Sequence, residues 1–451
     1  MQINHKKTIL FIGDIIILFF SLYLTLMMRY GGNFTQQTWQ LHFKPFAILY
    51  CVWLLIFYIT NLYDLTEAKV SIDFYQKLLS SLIICGFFSI AFFYLNSQIA
   101  IAPKTNLFLN LVTTAILFSI WRYFFNWIIK STTKNNVIIV GYSDLAYNFS
   151  STVNNNPQLG FKITAFVTFQ EINKTDTKLS FISINENLEK FIKENNVNTV
   201  IINAKQNEES INKLASCLSM RVNFIDFTDF YEKIFSIVPI NAINVSWFIE
   251  NLTEGSKRIY DLFKRVIDII MSIIIGLLSL PLIPFISIAI KINSKGSILF
   301  KQIRTGKNGK TFLAVKFRSM VDNAEKNGAE WSQENDNRIT TVGKFLRKTR
   351  LDEIPQLLNV LRGEMSFVGP RPERPEFIEM LEKEVPFYKQ RALVKPGLTG
   401  WAQANLAYGA SKEYSMQKLQ YDLYYIKHRS MFLDLKIVLK TVAIVFGFKG
   451  R

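Results

Sequence analysis

The stretch from Arg347 to Pro372 reads RKTRLDEIPQLLNVLRGEMSFVGPRP, and two adjacent carboxylates, Asp352 and Glu353, stand near its centre. The pattern predicts a short helix that opens at this pair, because a first helical turn tolerates proline and Pro355 falls there. The leucines that follow give the helix an apolar face, and Gly363 is a typical C-terminal stop. The carboxylate pair is thus expected at the N-terminus of a helix.

Cations stand on both sides of the carboxylate pair in the sequence. A helix N-terminus offers unpaired backbone N–H groups and the positive end of the helix dipole, so it holds an anion or a phosphate well. A carboxylate among cations beside such a phosphate seat can act as a nucleophile or hold a divalent metal ion. The alternative is that Asp352 and Glu353 only cap the helix. The surrounding cations are Arg347, Lys348, Arg350 and Arg371.

Further ordered blocks stand on both sides of this stretch, from about residue 258 to the end of the chain. The blocks are Lys264, Arg265 and Asp268 before an apolar segment, LFKQIRTG with Phe300, Gln302 and Arg304, KFRSM from Lys316 to Met320, RIT at Arg338, LDEIPQ at Leu351, GEMSFVGPRP at Gly363, KPGLTGWAQ at Lys395, and YDLYYIKHRSMFLDLKI at Tyr421. In this order they resemble the bacterial sugar transferases, which are polyprenyl-phosphate phosphoglycosyl transferases. A match of so many ordered blocks is far more specific than any single short motif.

The resemblance implies an enzyme that transfers a sugar-1-phosphate from a UDP-sugar to polyprenyl (undecaprenyl) phosphate in two steps. Asp352 would attack the sugar-side phosphate and release UMP, and polyprenyl phosphate would then attack the aspartyl phosphosugar. Glu353 would help to bind Mg²⁺ (or Mn²⁺) or position the incoming phosphate. Such a reaction initiates exopolysaccharide, capsule or O-antigen synthesis, so downstream glycosyltransferases and a second copy of the chain are further expected partners. The sugar stays open between glucose, galactose and N-acetylated sugars.

The same resemblance assigns roles to residues around the pair. The residues expected to bind substrate are Gln302, Arg304, Lys316, Arg318, Arg347, Arg371 and Gln403. The residues expected at the metal ion are Asp352, Glu353 and Asp422. Gln403 and Asp422 could equally be buried structural polar groups. Phosphoryl transfer needs charge neutralisation and alignment more than strong bases, which suits a site of carboxylates and cations.

Two other functions are compatible with parts of the sequence. One is a membrane scaffold of a polysaccharide assembly complex whose transferase module is inert, which the intact Asp352–Glu353 pair and its basic flanks oppose. The other is a binding protein that senses nucleotide sugars through its middle domain. Release of UMP by the purified protein separates both from the enzyme.

The composition is that of a basic membrane protein. The chain has 451 residues, a net charge of +17 and 49% apolar residues, including 39 Phe, and the apolar residues form long runs. No nucleic-acid fold signature is present, so the positive charge predicts anionic headgroups and phosphorylated substrates as partners rather than nucleic acid. The three cysteines lack metal-binding spacing, and the three histidines include no obvious general base, which leaves acid–base work to carboxylates.

Four apolar stretches within residues 1–130 are each long enough to span a bilayer. Lysine and arginine are denser at the N-terminus and at the exit from the fourth stretch, which predicts a cytoplasmic location for both ends. With the resemblance, this indicates a multi-pass protein of the bacterial inner membrane whose catalytic domain faces the cytoplasm. Arg122 is expected near an interface, and Asp14 is either a functional intramembrane acid or a residue that reaches the headgroups. The stretches are Ile9–Met28, Phe46–Leu62, Leu78–Leu95 and Leu107–Ile129.

Residues 135–250 alternate short apolar strands with helical segments, which predicts a doubly wound parallel sheet of the Rossmann-like class. The first turn, from Gly141 to Ala146, has only the first glycine of GxGxxG. The backbone therefore cannot approach a pyrophosphate closely, and no dinucleotide site is expected. A helix is predicted over 208–220. Larger members of the family resembled here carry such a domain before the catalytic part, with a structural or regulatory role.

The α/β catalytic domain, residues 258–451, contains an apolar segment from Val266 to Ile290 that Pro281 and a second proline interrupt. A full crossing would put the following residues outside the cell, whereas nucleotide sugars are cytoplasmic. Basic residues at both ends and a break in the middle indicate a re-entrant helix. Members of the family have this shape, although Leu280 stands where they often carry serine, so the carbonyl groups freed by Pro281 need another donor. Met416 to Phe448 is predicted to form interfacial amphipathic helices.

Overall fold

A computed structural model of the chain describes residues 3–65, 71–96, 104–131, 135–168, 179–183, 188–203, 214–215, 217–252, 257–321, 324, 336–406, 409 and 411–445. The chain forms two compact units, Met1–Phe230 and Tyr231–Arg451. The first contains long apolar helices followed by an α/β domain, and the second contains the carboxylate pair.

Four long helices open the first unit. Each is long and apolar enough to cross a membrane, which confirms the four predicted spans. The second and third begin with polar caps, because the hydroxyl groups of Thr35 and Ser71 accept hydrogen bonds from backbone N–H groups of the first turn (3.2 and 3.3 Å). The helices are α1 (Ile3–Tyr30), α2 (Gln36–Ile59), α3 (Ile72–Leu95) and α4 (Lys104–Ser131).

A buried ion pair joins α1 to α4. The guanidinium group of Arg122 donates two hydrogen bonds to the carboxylate of Asp14, at 2.9 and 2.8 Å, and both side chains are fully buried. The expectation that Asp14 reaches the headgroups is therefore wrong, whereas the location of Arg122 near an interface stays a prediction. A charged side chain inside an apolar bundle is tolerated when it pairs with the opposite charge, and the planar guanidinium group matches both carboxylate oxygens.

Breaking this ion pair is expected to destabilise the helix bundle. Arg122→Leu leaves the carboxylate of Asp14 buried without its partner, which costs about 3–5 kcal/mol in buried pairs. The double variant Asp14→Leu/Arg122→Leu removes both charges and should recover most of that loss, because no unpaired charge remains to be desolvated. Thermal denaturation in detergent measures both effects. A single variant as stable as the unaltered chain would contradict this role for the pair.

Five strands form the sheet of the α/β domain: β1 (Asn135–Val140), β2 (Phe161–Thr168), β3 (Ser180–Ser183), β4 (Val197–Ile202) and β5 (Asn223–Asp226). They are parallel and stand in the order β3-β2-β1-β4-β5, which confirms the predicted parallel sheet. After β1, the side chain of Asn203 donates to the carbonyl oxygen of Gly141 (3.1 Å) and to the hydroxyl oxygen of Ser143 (3.0 Å), which holds this turn together. Helices α5 (Asp144–Asn155) and α6 (Leu188–Glu194) precede β2 and β4. The predicted helix over 208–220 lies mostly outside the described residues.

Residues 231–250, which the sequence pattern assigned to the middle domain, belong to the second compact unit. Val238, Ile240 and Trp247 pack in the core of that unit, and the N–H group of Val238 donates to the carbonyl oxygen of Gln420 (3.1 Å). A short apolar segment can serve either of two neighbouring cores, so only the packing decides where one ends.

The second unit combines many short elements with two small sheets. Its helices are α7 (Phe227–Phe235), which begins before the division, α8 (Val245–Asn251), α9 (Arg258–Ser279), α10 (Leu282–Asn293), α11 (Thr341–Thr349), α12 (Leu357–Arg362), α13 (Pro375–Glu384), α14 (Trp401–Asn405), α15 (Lys412–His428) and α16 (Met431–Val445). Its strands are β6 (Leu299–Thr305), β7 (Thr311–Phe317), β8 (Ser366–Val368) and β9 (Gly397–Thr399). The strands β6 and β7 form an antiparallel hairpin, and β8 pairs with β9 in parallel.

The apolar segment at the start of the catalytic domain forms a broken pair of helices. Together α9 and α10 are long and apolar enough for a membrane segment, and they are bent by 64° at the break. Pro281 stands at this break and has no N–H group to donate to the carbonyl oxygen of Leu277. The N–H group of Leu280 supplies the missing donor, because the carbonyl oxygens of Gly276 (3.1 Å) and Leu277 (3.3 Å) share it. The hydroxyl group of Ser279 also donates to Gly276 (2.9 Å).

Candidate active site

The carboxylate pair lies in a 3₁₀ helix, Leu351–Gln356, that precedes α12. The predicted helix at the carboxylate pair is present, but its first six residues form a 3₁₀ helix and only Leu357–Arg362 is α-helical. The stop at Gly363 is confirmed by its left-handed backbone (φ +82°). Because α12 has only 6 residues, its dipole contributes little, and neighbouring cations must compensate the carboxylates.

Two charged residues of α9 hold α12 and β8 in place. The guanidinium group of Arg265 donates to the carbonyl oxygens of Val360 (2.5 Å) and Leu361 (2.7 Å), at the end of α12 where carbonyl groups lack partners within the helix. The carboxylate of Asp268 accepts a hydrogen bond from the N–H group of Phe367 (3.0 Å) in β8. These contacts give a positioning role to the charged residues that precede the apolar segment.

Asn359 ties α12 to the strand that carries Lys316. Its fully buried side chain donates to the carbonyl oxygen of Leu313 (2.8 Å) and accepts from the N–H group of Val315 (3.3 Å). Because these bonds flank the part of β7 that leads into Lys316, they fix the distance between the lysine and the carboxylate pair.

Three cations converge on one oxygen of the Glu353 carboxylate. The Nζ atom of Lys316 and the Nη2 atom of Arg371 each lie 3.0 Å from Oε1, and the Nη1 atom of Arg350 lies 3.7 Å away. Burial alone would raise the pKa of Glu353, but the three positive charges outweigh it and hold the pKa well below its usual range. Glu353 is therefore ionised, and the positive charges of its neighbours already compensate its negative charge.

Asp352 is buried beside this cluster and is less well compensated. Its Oδ1 atom forms no hydrogen bond with any residue that the structure describes. Burial raises the pKa of Asp352, and the negative charge of Glu353 raises it further. The cations Lys316, Arg371 and Arg347 offset part of this rise. A buried carboxylate oxygen without a partner is uncommon in folded proteins, and it marks a position where a ligand atom can bind.

Of the three residues predicted at a Mg²⁺ ion, Asp352 has an unpartnered carboxylate oxygen that could bind it, and the metal set stays a prediction. Asp422 instead forms a buried ion pair, in which its Oδ2 atom accepts hydrogen bonds from Nε (3.1 Å) and Nη2 (2.8 Å) of Arg391. Within the ranges that the structure describes, no three His, Cys, Asp or Glu side chains lie together as a metal-binding group. Mg²⁺ is commonly held by one or two carboxylates together with substrate phosphates, and the unpartnered Oδ1 atom of Asp352 suits that arrangement.

Arg347 and Arg318, both expected to bind substrate, lie in different surroundings. The Nε atom of Arg347 donates to the hydroxyl oxygen of Ser319 (2.9 Å), and its charge lowers the pKa of Asp352 against the effect of burial. Arg318 is buried, and its Nη2 atom donates to the carbonyl oxygen of Ser294 (2.8 Å) just after α10. Arg347 thus stands at the site, whereas Arg318 holds the end of α10 through Nη2, and its buried Nε and Nη1 atoms have no partner among the described residues.

Gln302 and Arg304 lie on β6 and support the turn that carries Arg371. The side chain of Arg304 hydrogen-bonds to that of Gln302 and donates to the carbonyl oxygen of Pro372 (3.2 Å). Arg304 thus contacts the backbone directly after Arg371, and Gln302 contacts Arg304.

Gln403 lines a cavity together with Arg350 and Glu353. Its Nε2 atom donates to the carbonyl oxygen of Leu398 (3.2 Å). Its buried Oε1 atom has no hydrogen-bond partner among the described residues. The amide is thus anchored on one side and open to a ligand on the other.

Comparison with known proteins places this site in a family. The family model described as Bacterial sugar transferase matches residues 259–448. A UDP-glucose:undecaprenyl-phosphate glucose-1-phosphate transferase of Xanthomonas campestris pv. campestris is 33% identical over 327 residues, which cover 69% of this chain and 67% of the relative. The chain belongs to the bacterial sugar transferase family.

Two other relatives match a shorter part of the chain. A UDP-N-acetylgalactosamine-undecaprenyl-phosphate N-acetylgalactosaminephosphotransferase of Aeromonas hydrophila is 44% identical over 194 residues, or 43% of this chain and 46% of the relative. A UDP-glucose:undecaprenyl-phosphate glucose-1-phosphate transferase of Klebsiella pneumoniae is 41% identical over 213 residues, or 47% of this chain and 44% of the relative. The chain thus spans less than half the length of these two relatives.

The sequence reasoning missed a buried ionic network in this bacterial sugar transferase domain. Arg391 donates to the carbonyl oxygen of Arg371 (3.0 Å) as well as to Asp422, so it fixes the backbone that presents the Arg371 guanidinium group. Burial would raise the pKa of Glu373, but Lys418 and Arg391 lower it to about 2. The available signal was the i,i+4 pair of opposite charges, Lys418 and Asp422, on an otherwise largely apolar helix face.

Proposed function

We propose that the chain transfers a sugar-1-phosphate from a UDP-sugar to polyprenyl (undecaprenyl) phosphate through a covalent aspartyl phosphosugar. The observation that carries this proposal is the buried Asp352, whose Oδ1 atom is unpartnered among the described residues beside an already neutralised Glu353. A carboxylate oxygen among cations is suited to attack a phosphorus atom whose oxygens those cations bind. The relatives are named for a transfer of this kind.

In the first step a carboxylate oxygen of Asp352 forms a bond to the sugar-side phosphorus, and the bond from that phosphorus to the bridging oxygen breaks. UMP leaves with the bridging oxygen. Lys316, Arg371 and Arg347 bind the phosphate oxygens and stabilise the negative charge that shifts toward the leaving group. Once bound by Asp352 and the substrate phosphates, Mg²⁺ (or Mn²⁺) would neutralise further charge on the diphosphate.

In the second step an oxygen of polyprenyl phosphate bonds to the same phosphorus, and the bond to Asp352 breaks. The products are polyprenyl diphosphate sugar and the original carboxylate, so the cycle needs no oxidant and no net proton transfer. Glu353 holds Arg371, Lys316 and Arg350 together through both steps, because its carboxylate contacts all three.

We further infer that this transfer initiates an exopolysaccharide, capsule or O-antigen, whose downstream glycosyltransferases would consume the product lipid. The strand order β3-β2-β1-β4-β5 supports a Rossmann-like middle domain with a structural or regulatory role. Cells lacking the chain test the assignment to such a pathway. They should lose surface polysaccharide, and the unaltered chain, but not an Asp352 variant, should restore it.

UMP release tests the proposed reaction directly. Purified protein in nanodiscs is given Mg²⁺ and, in turn, UDP-glucose, UDP-galactose and their N-acetylated counterparts. One donor should release up to one equivalent of UMP per chain without acceptor, and added undecaprenyl phosphate should allow turnover. If no donor leads to UMP release even when undecaprenyl phosphate is present, the proposal is overturned. That result would favour the inert membrane scaffold or the binding protein that senses nucleotide sugars.

We propose that the bent pair α9–α10 is a re-entrant segment, which keeps the following residues on the cytoplasmic face of the bacterial inner membrane. The 64° bend and the basic residues at both ends support this. In a chain without native cysteines, a cysteine at Ser297 should resist a membrane-impermeant thiol reagent added to intact cells. A cysteine at Gly32, in the α1–α2 loop, is the matched control and should react. Labelling at Ser297 equal to that at Gly32 would contradict the topology.

The pH dependence of the first step should reflect the raised pKa of Asp352. Protonated Asp352 cannot attack, so the UMP burst should fall as the pH drops through the pKa of Asp352. This fall should occur at a higher pH than for an ordinary aspartate, whose pKa is about 3.9. Glu353→Gln removes the negative charge that raises this pKa and leaves the cations, so the acid limb should move to lower pH. Burst amplitudes measured against pH locate the acid limb in the unaltered protein and in Glu353→Gln. A limb that stays in place or moves upward would contradict the coupling.

A further inference from the structure

A cavity of about 180 Å³ opens beside Glu353. Its polar lining includes Arg350, Glu353 and Gln403. The side chain of Arg350 is 37% exposed and lies 3.7 Å from the Glu353 carboxylate, so an incoming anion can reach it. The buried Oε1 atom of Gln403 is unpartnered among the described residues. Of these groups, the Arg350 guanidinium can bind an anion, whereas Glu353 and the Oε1 atom of Gln403 accept hydrogen bonds from donors.

The remaining wall of the cavity is mostly apolar. It includes Ile275 from α9, Leu398 from β9 and Ile444 from α16. Outside the cavity lining, α9 also carries Leu278, whose apolar side chain is 73% exposed. Since α9 belongs to the segment apolar enough for a membrane, the cavity and this exposed apolar side chain share one helix.

The helix α16 is fastened next to the cavity. The hydroxyl groups of Thr441 on α16 and Thr399 on β9 lie 2.6 Å apart and form a hydrogen bond. Both residues line the cavity. The hydrogen bond thus fixes α16 to β9. The strand β9 pairs with β8, and Asp268 of α9 holds β8.

We propose that this cavity receives the isoprenoid chain next to the phosphate of the lipid acceptor, which enters between α9 and α16. The inference rests on the proposed function and adds where the acceptor binds. Arg350 meets the acceptor phosphate, and Ile275 and Ile444 contact the chain. An amphiphile with one anionic end and an apolar body matches a cavity that is charged at one end and apolar elsewhere.

A nucleotide sugar does not match the same cavity. A nucleoside diphosphate is polar along its whole length, so it would leave its hydrogen-bonding groups unpaired against the apolar wall. Of the residues that the structure describes, the lining does not include Arg371, which instead lines a smaller cavity with Arg391 and Thr305. Glu353 contacts both Arg350, which lines the larger cavity, and Arg371, which does not.

Filling the cavity tests the proposal. Ile444→Trp places a bulky ring in it, and Val442→Trp adds the same ring on an exposed position of the same helix as a matched control. Full-length proteins in nanodiscs are compared by the UMP burst with UDP-sugar alone and by the KM for undecaprenyl phosphate. Ile444→Trp should keep the burst within about twofold and raise that KM about tenfold or more, whereas Val442→Trp should change neither.

An unchanged KM for undecaprenyl phosphate in Ile444→Trp would overturn the proposal. A smaller UMP burst in this variant would also overturn it, because the cavity would then belong to the donor. If Ile444→Trp does not fold, photo-crosslinking of the unaltered protein with a benzophenone-bearing isoprenoid phosphate replaces it. We expect adducts on α9 or α16. Undecaprenyl phosphate should suppress these adducts, whereas phosphatidylglycerol should not. Adducts elsewhere, or equal suppression by both lipids, would overturn it. A missing burst in the unaltered protein refutes the proposed function instead, and the crosslink still reports on the cavity.

Discussion

Asp352→Asn is expected to abolish both the UMP burst and net transfer. Asparagine preserves the shape of the side chain but lacks the anionic oxygen that would attack the phosphorus atom. Removing a nucleophile is expected to cost at least about a thousandfold in rate, or roughly 4 kcal/mol. Intact-protein mass spectrometry after incubation with the correct UDP-sugar and Mg²⁺ measures the adduct as a phosphosugar mass increment.

Glu353→Gln is the matched control for this experiment. It removes the neighbouring carboxylate but keeps Asp352, so overall turnover should be severely impaired while a trapped adduct can still form. The increment should therefore be present in Glu353→Gln and absent in Asp352→Asn. An Asp352→Asn protein that transfers at nearly the unaltered rate would refute the assignment of the nucleophile.

Arg371→Met is expected to have the second-largest effect, a loss of about 100-fold or more in kcat/KM for UMP release. The guanidinium group of Arg371 lies 3.0 Å from Glu353, and the side chain of Arg391 donates to the backbone carbonyl oxygen of Arg371, so Arg371 is preorganised to bind a phosphate. Removing one positioned donor that stabilises transition-state charge typically costs about 10²–10³ in rate. Steady-state kinetics with the UDP-sugar measures the loss.

Arg374→Met provides a control from the same turn. Arg374 lies 3.6 Å from Glu376, whose side chain is 62% exposed, so its loss should change kcat/KM by less than about threefold. Equal losses in the two variants would show that the turn needs positive charge in general, and the specific role of Arg371 would be rejected.

Much of the site was predictable because its residues lie close together in the chain. The stretch from Arg347 to Pro372 contains Asp352, Glu353, Arg350 and Arg371, so their proximity in space follows from short connections. The four membrane-length helices were predictable for a similar reason, since the length and hydropathy of a segment are local properties. The parallel sheet followed from the alternation of strands and helices.

The roles of single polar residues were not predictable from the sequence. Asp14 and Arg122 stand 108 positions apart, and only the packing of α1 against α4 makes them one buried pair. Asp422 and Asp352 are both buried aspartates, yet Arg391 satisfies the first, whereas an oxygen of the second has no partner among the described residues. The 3₁₀ conformation of Leu351–Gln356 likewise follows from Pro355 and its surroundings rather than from the apolar pattern.

By itself, the sequence determined which segments are apolar, which elements alternate and which charged residues stand next to the carboxylate pair. The tertiary structure alone decided which carboxylate is neutralised and which keeps an unpartnered oxygen. Lys316 reaches Glu353 from 37 positions away, because Asn359 fixes the strand β7 against α12. The physical reason is that burial and hydrogen-bond partners depend on the whole packed surroundings of a side chain, and residues distant in the chain supply most of those surroundings.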